Sequence, residues 1–420
     1  MNLSTVFFKE LAKIPTIDTH QHLRLSHDNN DRPLDRTWDF HSIFENGSYL
    51  GYLHSGLNSL SPAPLSFRDK IKWLRTTSTF RSMVEIPLRD LYACSLDDLD
   101  DDRISEIERQ IAEHYQHGPQ VWCEEVFCRA NIELGIKMNV TAGYFQEVLP
   151  SLSANDRRIE QNLFRSNWLV NDLIAADPWV DHCETAEQYG ISIDSLDGYL
   201  ELIDLIFERM LGFDIVGIKT FLAYSRTLEI DEVSIQEARS LYKARALGNK
   251  RLQDFFWCYV GKKAGEYQLP FTIHTGIVPG ERPVAGCSPA LLHNLIRHED
   301  CKDTRFVLLH TGYPYARELV LLAWNTANVF VDFCWLPLLG FETAVQVIGE
   351  FLEWAPLHKF TMGTDCHQPE TTYGSMVQAR EVLSQVLARK CALGIWSEDM
   401  AMDAARAVLG DNARMLYRLG

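Results

Sequence analysis

PFTIHTGIVPGERPVAGCSPALLHNLIRHEDCKDTRFVLLH, residues 270–310, holds the deciding pattern. Two short apolar runs, PFTIH (270–274) and RFVLLH (305–310), flank a stretch with helical periodicity, SPALLHNLIRHE. Such runs read as buried strands, and strand, helix, strand in that order make a βαβ unit of a parallel sheet. The alternation extends in both directions. FDIVGIK (213–219) lies upstream, followed by the helical VSIQEARSLYKARAL, and NVFVDF (328–333) and KFTMGTD (359–365) lie downstream. IPTIDTHQH (14–22) reads as the opening strand of the same sheet. These six strands leave room for two more, and eight would close a barrel.

The interval from Leu23 to Met210 is longer than two strands and three helices need, so an insertion is expected there. We place a largely helical cap at about 24–130, after the first strand. One of its helices is predicted near Ile104 to His117, following the acidic run DDLDDD (97–102), which reads as solvated surface favouring a helix N-terminus. MNLSTVFFKELAKI reads as a first amphipathic helix, and SEDMAMDAARAVLGDNARMLYRLG as a closing helical element. No repeat, low-complexity tract or Pro/Gly linker divides the chain, so residues 1–420 are expected to form one barrel domain with its cap.

The make-up is that of a globular protein, with 46% hydrophobic and 23% charged residues. Forty Lys and Arg against 57 Asp and Glu give a net charge of −17, and no basic stretch offers a phosphate-binding face. Nucleic acid and anionic membranes are therefore poor partners. The longest apolar runs, such as Leu319 to Trp324, fall far short of the roughly 20 residues a spanning helix needs. The N-terminus lacks a basic leader and a sustained apolar core, which predicts a cytoplasmic protein. Ten cysteines are scattered without a CxxC pair, as expected of buried or free thiols.

The chemistry-bearing residues fall at strand ends. His20 and His22 close the opening strand, and period-two geometry points both imidazoles to one side, where one metal ion could take them. His274, His310 and Asp365 each terminate a later strand in the same direction, at the end where such barrels place catalysis. A shared metal site is predicted, suited to zinc and also open to manganese or iron. Lys219 ends FDIVGIK at the corresponding place. Beside cations its amine should be neutral, able to form a bridging carbamate with carbon dioxide or to act on substrate directly. Tyr224 and Arg226 follow it, and the guanidinium could clamp a substrate carboxylate. Trp335, His367 and Glu370 lie in later loops, each as suited to substrate contact as to ordering its loop. Tyr313 could shape a turn with Pro314, and Cys366 is read as a neighbour of Asp365.

The order His-x-His, Lys, His, His, Asp resembles the amidohydrolase superfamily. IDTHQHL, GIKTFLAYSRTL, LLHTGYP, GTDCHQPETTYG and LGDNARMLY are similar to the amidohydrolase-related group that includes domains fused to glutamine synthetase. The resemblance covers the core from residue 14 onward, but little of 24–210. It implies a distorted (β/α)8 barrel in which His20 and His22 bind one metal and His274 and His310 the other. Carboxylated Lys219 would bridge two zinc ions, and Asp365 would hold the first while handling protons. The implied reaction is hydrolysis of a small amide, cyclic amide or lactone by activated water. The alternative within the superfamily is a one-metal decarboxylase or sugar-acid isomerase, with His274 or His310 as acid/base and Arg226 as anchor. Readings of other classes are a Schiff-base lysine at Lys219 and a binding protein with a structural metal. A small-molecule substrate and a homo-oligomer are expected.

Overall fold

The computed structural model describes residues 2–23, 38–46, 66–140, 160–170, 178–213, 215–278 and 284–419. Eight strands run β1 (Thr16–Gln21), β2 (Ile132–Val140), β3 (Glu160–Arg165), β4 (Ile215–Thr220), β5 (Phe271–Ile273), β6 (Phe306–Leu308), β7 (Val329–Asp332) and β8 (Phe360–Thr361). They lie in sequential order, and each pairs with the next in parallel. This is the (β/α)8 barrel, distorted where β8 meets β1. The ladder of β8 stops at Thr361, short of the predicted run to residue 365, and the chain continues beside β1 through separate backbone bonds. Thr19 N–H donates to Met362 O at 3.3 Å, Asp365 N–H to His20 O at 2.7 Å and His22 N–H to Cys366 O at 2.8 Å. Gly363 makes this approach possible, since a Cβ there would lie 2.8 Å from the His20 backbone nitrogen. The barrel is thus sealed at the place where the ends of the two strands carry their functional groups.

The two strands that the pattern left unassigned are β2 and β3, on either side of a segment outside the described residues. Outer helices include α1 (Leu3–Leu11), α2 (Asp101–Tyr115), α3 (Pro119–Ala130), α4 (Leu196–Leu211), α5 (Ile235–Lys243), α6 (Lys250–Glu266), α7 (Ala316–Asn325), α8 (Phe341–Trp354) and α9 (Pro369–Ala392). Helix α1 is capped by the Asn2 side chain, which accepts from Ser4 N–H. The acidic run serves α2 in the same way, the Asp100 carboxylate accepting from Arg103 N–H at 2.8 Å. Such a cap satisfies one of the donors that a helix start leaves unpaired. Alternating Leu, Ile and Phe of the strands and the inward faces of the helices form a continuous buried core. No helix among the described residues is long and apolar enough to cross a membrane. All ten cysteines are free.

The part of the expected insertion at 24–37 and 47–65 lies outside the described residues. Its described part, 38–46 and 66–130, is helical and builds an apolar cluster of its own from Phe40, Phe44, Phe80, Ile107, Ile111 and Trp122, joined to the barrel through Leu338 and Cys366. A polar joint fastens it further. The Glu370 carboxylate, fully buried at the start of α9, accepts from Tyr92 Oη (2.8 Å), Tyr115 Oη (2.9 Å) and Trp122 Nε1 (2.8 Å). Burial raises the pKa of Glu370, and these three donors act in the opposite direction.

Candidate metal centre

Period two along β1 puts Asp18, His20 and His22 on one side, at the C-terminal mouth of the barrel. Asp365 reaches the same point from beyond β8, its backbone in the left-handed region at φ 57°. His22 Nε2 lies 3.0 Å and His20 Nε2 3.4 Å from Asp365 Oδ1. Ligand atoms of His20, His22 and Asp365 all fall within 4.8 Å of one another. Asp18 braces the arrangement. Its buried carboxylate accepts from Thr364 N–H (2.8 Å), Thr364 Oγ1 (2.6 Å) and His20 N–H (3.3 Å), tying the β1 end to the residue before Asp365. Burial raises its pKa to about 7 against the effect of those bonds.

Lys219 closes β4 with its Nζ 3.4 Å from His20 Nε2. Complete burial pulls its pKa down to about 8, although Asp365 nearby works the other way. Burial likewise holds His20, His274 and His310 well below the usual imidazole range, with Lys219 adding to the effect on each. Neutral imidazoles keep the lone pairs a metal needs. The His20 and His22 nitrogens and the Asp365 carboxylate, converging in a buried mouth, fit a divalent cation of the zinc, manganese or iron type.

The other histidines form a second group. His274 lies just past β5 and His310 just past β6, the latter at φ 62°, with His310 Nε2 2.9 Å from His274 Nδ1. His274 Nε2 bonds the Ile277 carbonyl at 2.9 Å. His310 Nε2 is 3.8 Å from Asp365 Oδ2, so the two groups adjoin. Aromatic rings wall them. Trp335 lies 4.5 Å from the His310 ring centroid and Tyr224 4.7 Å from that of His274, while His367 stacks on His22 at 5.0 Å.

Three of the four loop residues expected at the substrate thus border the centre, and Arg226 does not. Its guanidinium is committed to the fully buried Asp254 of α6, with further bonds to Gln253 Oε1 and the Lys250 and Glu229 carbonyls. The expected carboxylate clamp is instead a tie between the β4 loop and α6. Glu370 likewise serves the cap joint. Tyr313 precedes a cis Pro314, and Cys366 is a buried neighbour of the centre. Sequence reasoning missed Cys334, whose Sγ lies 3.2 Å from His310 Nδ1. It also missed Asp332, which accepts from Thr19 and Thr361 hydroxyls and from Cys334 N–H. The available signal was position alone, Asp332 and Cys334 standing in VDFCW at the end of β7.

A family model described as amidohydrolase (Amidohydro_2) matches residues 238–419. Protein fluG of Emericella nidulans is 27% identical over 224 residues, covering 49% of this chain and 26% of that protein, so the match spans about a quarter of the curated relative. Among solved structures, a uronate isomerase from Thermotoga maritima superposes with a TM-score of 0.76 at 16% identity, covering 99% of this chain and 98% of that one. A glucuronate isomerase from Caulobacter crescentus gives 0.71 at 16% identity, covering 99% and 95%. A protein assigned as a metal-dependent hydrolase from Lactobacillus casei gives 0.69 at 16% identity, covering 98% and 97%. At these identities the likeness is one of fold. The match to the amidohydrolase model is confined to the C-terminal part of the chain, residues 238–419, and it falls on a fold of eight parallel strands that end on a metal-competent cluster.

Proposed function

We propose that the protein is a metal-dependent hydrolase of a small amide, cyclic amide or lactone. The observation that carries this reading is the convergence of His20, His22 and Asp365 at the barrel mouth. A divalent cation held by these three residues supplies Lewis acidity, acidifying water and polarising a carbonyl. The chain does the rest. Asp365 takes the proton released by the attacking water and returns it to the departing nitrogen or oxygen, the work of one positioned acid/base group. Asp18 and the backbone bonds between β1 and the chain after β8 keep His20 and Asp365 in register. Trp335 and Tyr224 limit the space beside His274 and His310 and favour a small, flat substrate. In the two-zinc form of this reading, His274 and His310 would hold the second ion, and a carboxylated Lys219 would add the mass of one carbon dioxide to the intact chain.

A second reading, isomerisation of a sugar acid, is favoured by the superposition of the whole chain, cap included, on uronate isomerases. The His274–His310 pair would then move a proton between adjacent carbons. Against it stands the engagement of Arg226 with Asp254, which leaves the expected carboxylate anchor occupied.

The test is a panel of lactones, cyclic and linear amides and hexuronic acids, assayed before chelation, after chelation and after restoration with zinc, manganese or iron. Hydrolysis of an amide or lactone that disappears on chelation is expected, with Asp365→Asn lowering kcat about a thousandfold and leaving the thermal melt unchanged. Hydrolysis indifferent to chelation, or interconversion of uronates alone, would overturn the hydrolase reading.

A further inference from the structure

The ends of β1 and of β4 to β8 supply the groups around the centre, and the end of β3 adds a buried donor that none of them uses. Strands β3 and β4 are parallel, with Arg165 opposite Lys219, so both end at the mouth. Past that rung the two chains stay joined by side chains. Ser166 donates its N–H and its hydroxyl to the Lys219 carbonyl, each at 2.8 Å. Asn167 follows, and its Oδ1 accepts the Phe221 N–H at 2.9 Å, taking the place of one more backbone carbonyl in the ladder. This bond assigns the carboxamide. A backbone N–H only donates, so the atom facing it is the oxygen and the other is the amino group. Asn167 is 1% exposed, and among the described residues its Nδ2 has no hydrogen-bond partner. Buried donors are nearly always paired, because an unpaired one has lost its water for nothing. Turning the carboxamide over gives no relief, since it would set donor against donor at Phe221.

The donor stands one layer above the reacting groups. Lys219, whose Nζ lies 3.4 Å from His20 Nε2, comes two residues before Phe221, about 6–7 Å along an extended chain. Phe221 meets Tyr224 edge-on at 6.1 Å, and Tyr224 lies against His274. A substrate whose scissile group sits at His20, His22 and Asp365 would therefore extend past Lys219 towards Asn167 with the part that does not react. The carboxamide carries no charge, so it suits a neutral oxygen, whereas a carboxylate gains most from a cation.

We propose that Asn167 is a specificity-determining residue whose Nδ2 donates to a neutral oxygen, a second carbonyl or a hydroxyl, on the unreactive part of the substrate. The proposal rests on the hydrolase reading and narrows its substrates from small amides and lactones in general to those that carry such an oxygen.

The test is calorimetry on the zinc-loaded full chain with two probes, N-methylsuccinimide and N-methylpyrrolidone, the second being the same ring with one carbonyl fewer. The wild type is expected to bind the imide about tenfold more tightly. Asn167→Asp keeps an oxygen for the Phe221 N–H and removes the amino group, so it should retain the melting temperature and the zinc content while the preference for the imide disappears. Asn167→Ala, which gives up the Phe221 bond as well, should melt lower and also lose the preference. No preference in the wild type, or a preference that survives in either folded variant, would overturn the proposal. Hydrolysis of amides or lactones alongside such a result would leave the hydrolase reading standing. A preference that depends on Asn167, without hydrolysis of any amide or lactone, would refute that reading and keep the binding role of Asn167.

Discussion

The two sides of the barrel mouth use the same residue types in different ways. On the β1–β8 side, His20 and His22 turn both Nε2 atoms to the Asp365 carboxylate, where a cation would be held. On the β5–β7 side, His274 and His310 turn to each other, and their outer nitrogens meet the Ile277 carbonyl and Cys334. Imidazole identity is equal on both sides, so the difference lies in the partners. A carboxylate facing two imidazole nitrogens suits a cation, whereas the outer nitrogens of the second pair are engaged by the Ile277 carbonyl and by Cys334. The bracing differs too. Asp18 and Glu370 hold the first side through a carboxylate under β1 and a joint to the cap, while the second depends on Asp332, on strained backbone at Trp335 and on the Arg226–Asp254 tie next to β4.

This contrast can be broken at its supports. Arg226→Ala would leave the buried Asp254 with Lys250 as its remaining cation partner, and unfolding in urea should show a loss of about 1.5–3 kcal/mol with substrate affinity in the folded protein little changed. A selective rise in KM at unchanged stability would return Arg226 to the substrate. Glu370→Gln acts on the other side. The folded-state pKa of Glu370 is raised, so its share of stability is full below the unfolded carboxyl value and declines as pH rises through the folded one. The urea midpoint of Glu370→Gln, which cannot ionise, should therefore fall less than that of the wild type between about pH 4.5 and neutrality. Equal slopes would mean that the cap joint does not titrate. The smallest effect is expected at Trp335→Ala, where loss of the ring over His310 should raise KM by about tenfold, a change of about 1.4 kcal/mol, with zinc affinity unchanged. A matching loss of zinc would move Trp335 into the support of the metal site.

Much of this molecule could be read from its sequence, because strand runs and their terminal residues are local features. Five of the six strands that the pattern marked were found within two residues of the expected ends, and in four of them the terminal histidine or lysine is at the mouth. The sixth, β8, was read as too long, because Gly363 and the positive φ of Asp365 end the ladder early to let the chain close against His20. Strands β2 and β3 lack the bounded apolar runs of the others and emerge only as partners in the sheet.

By itself, then, the order of residues determined the alternating architecture and the set of side chains that could meet at one end of it, since periodicity and strand polarity are properties of the chain. Only the tertiary structure decided what each of them meets: that Arg226 binds Asp254, that Glu370 anchors the cap, and that a cysteine separated from His310 by 24 positions lies against its ring. Such pairings depend on distances of a few tenths of an ångström between elements remote in sequence, and packing in three dimensions alone sets those distances.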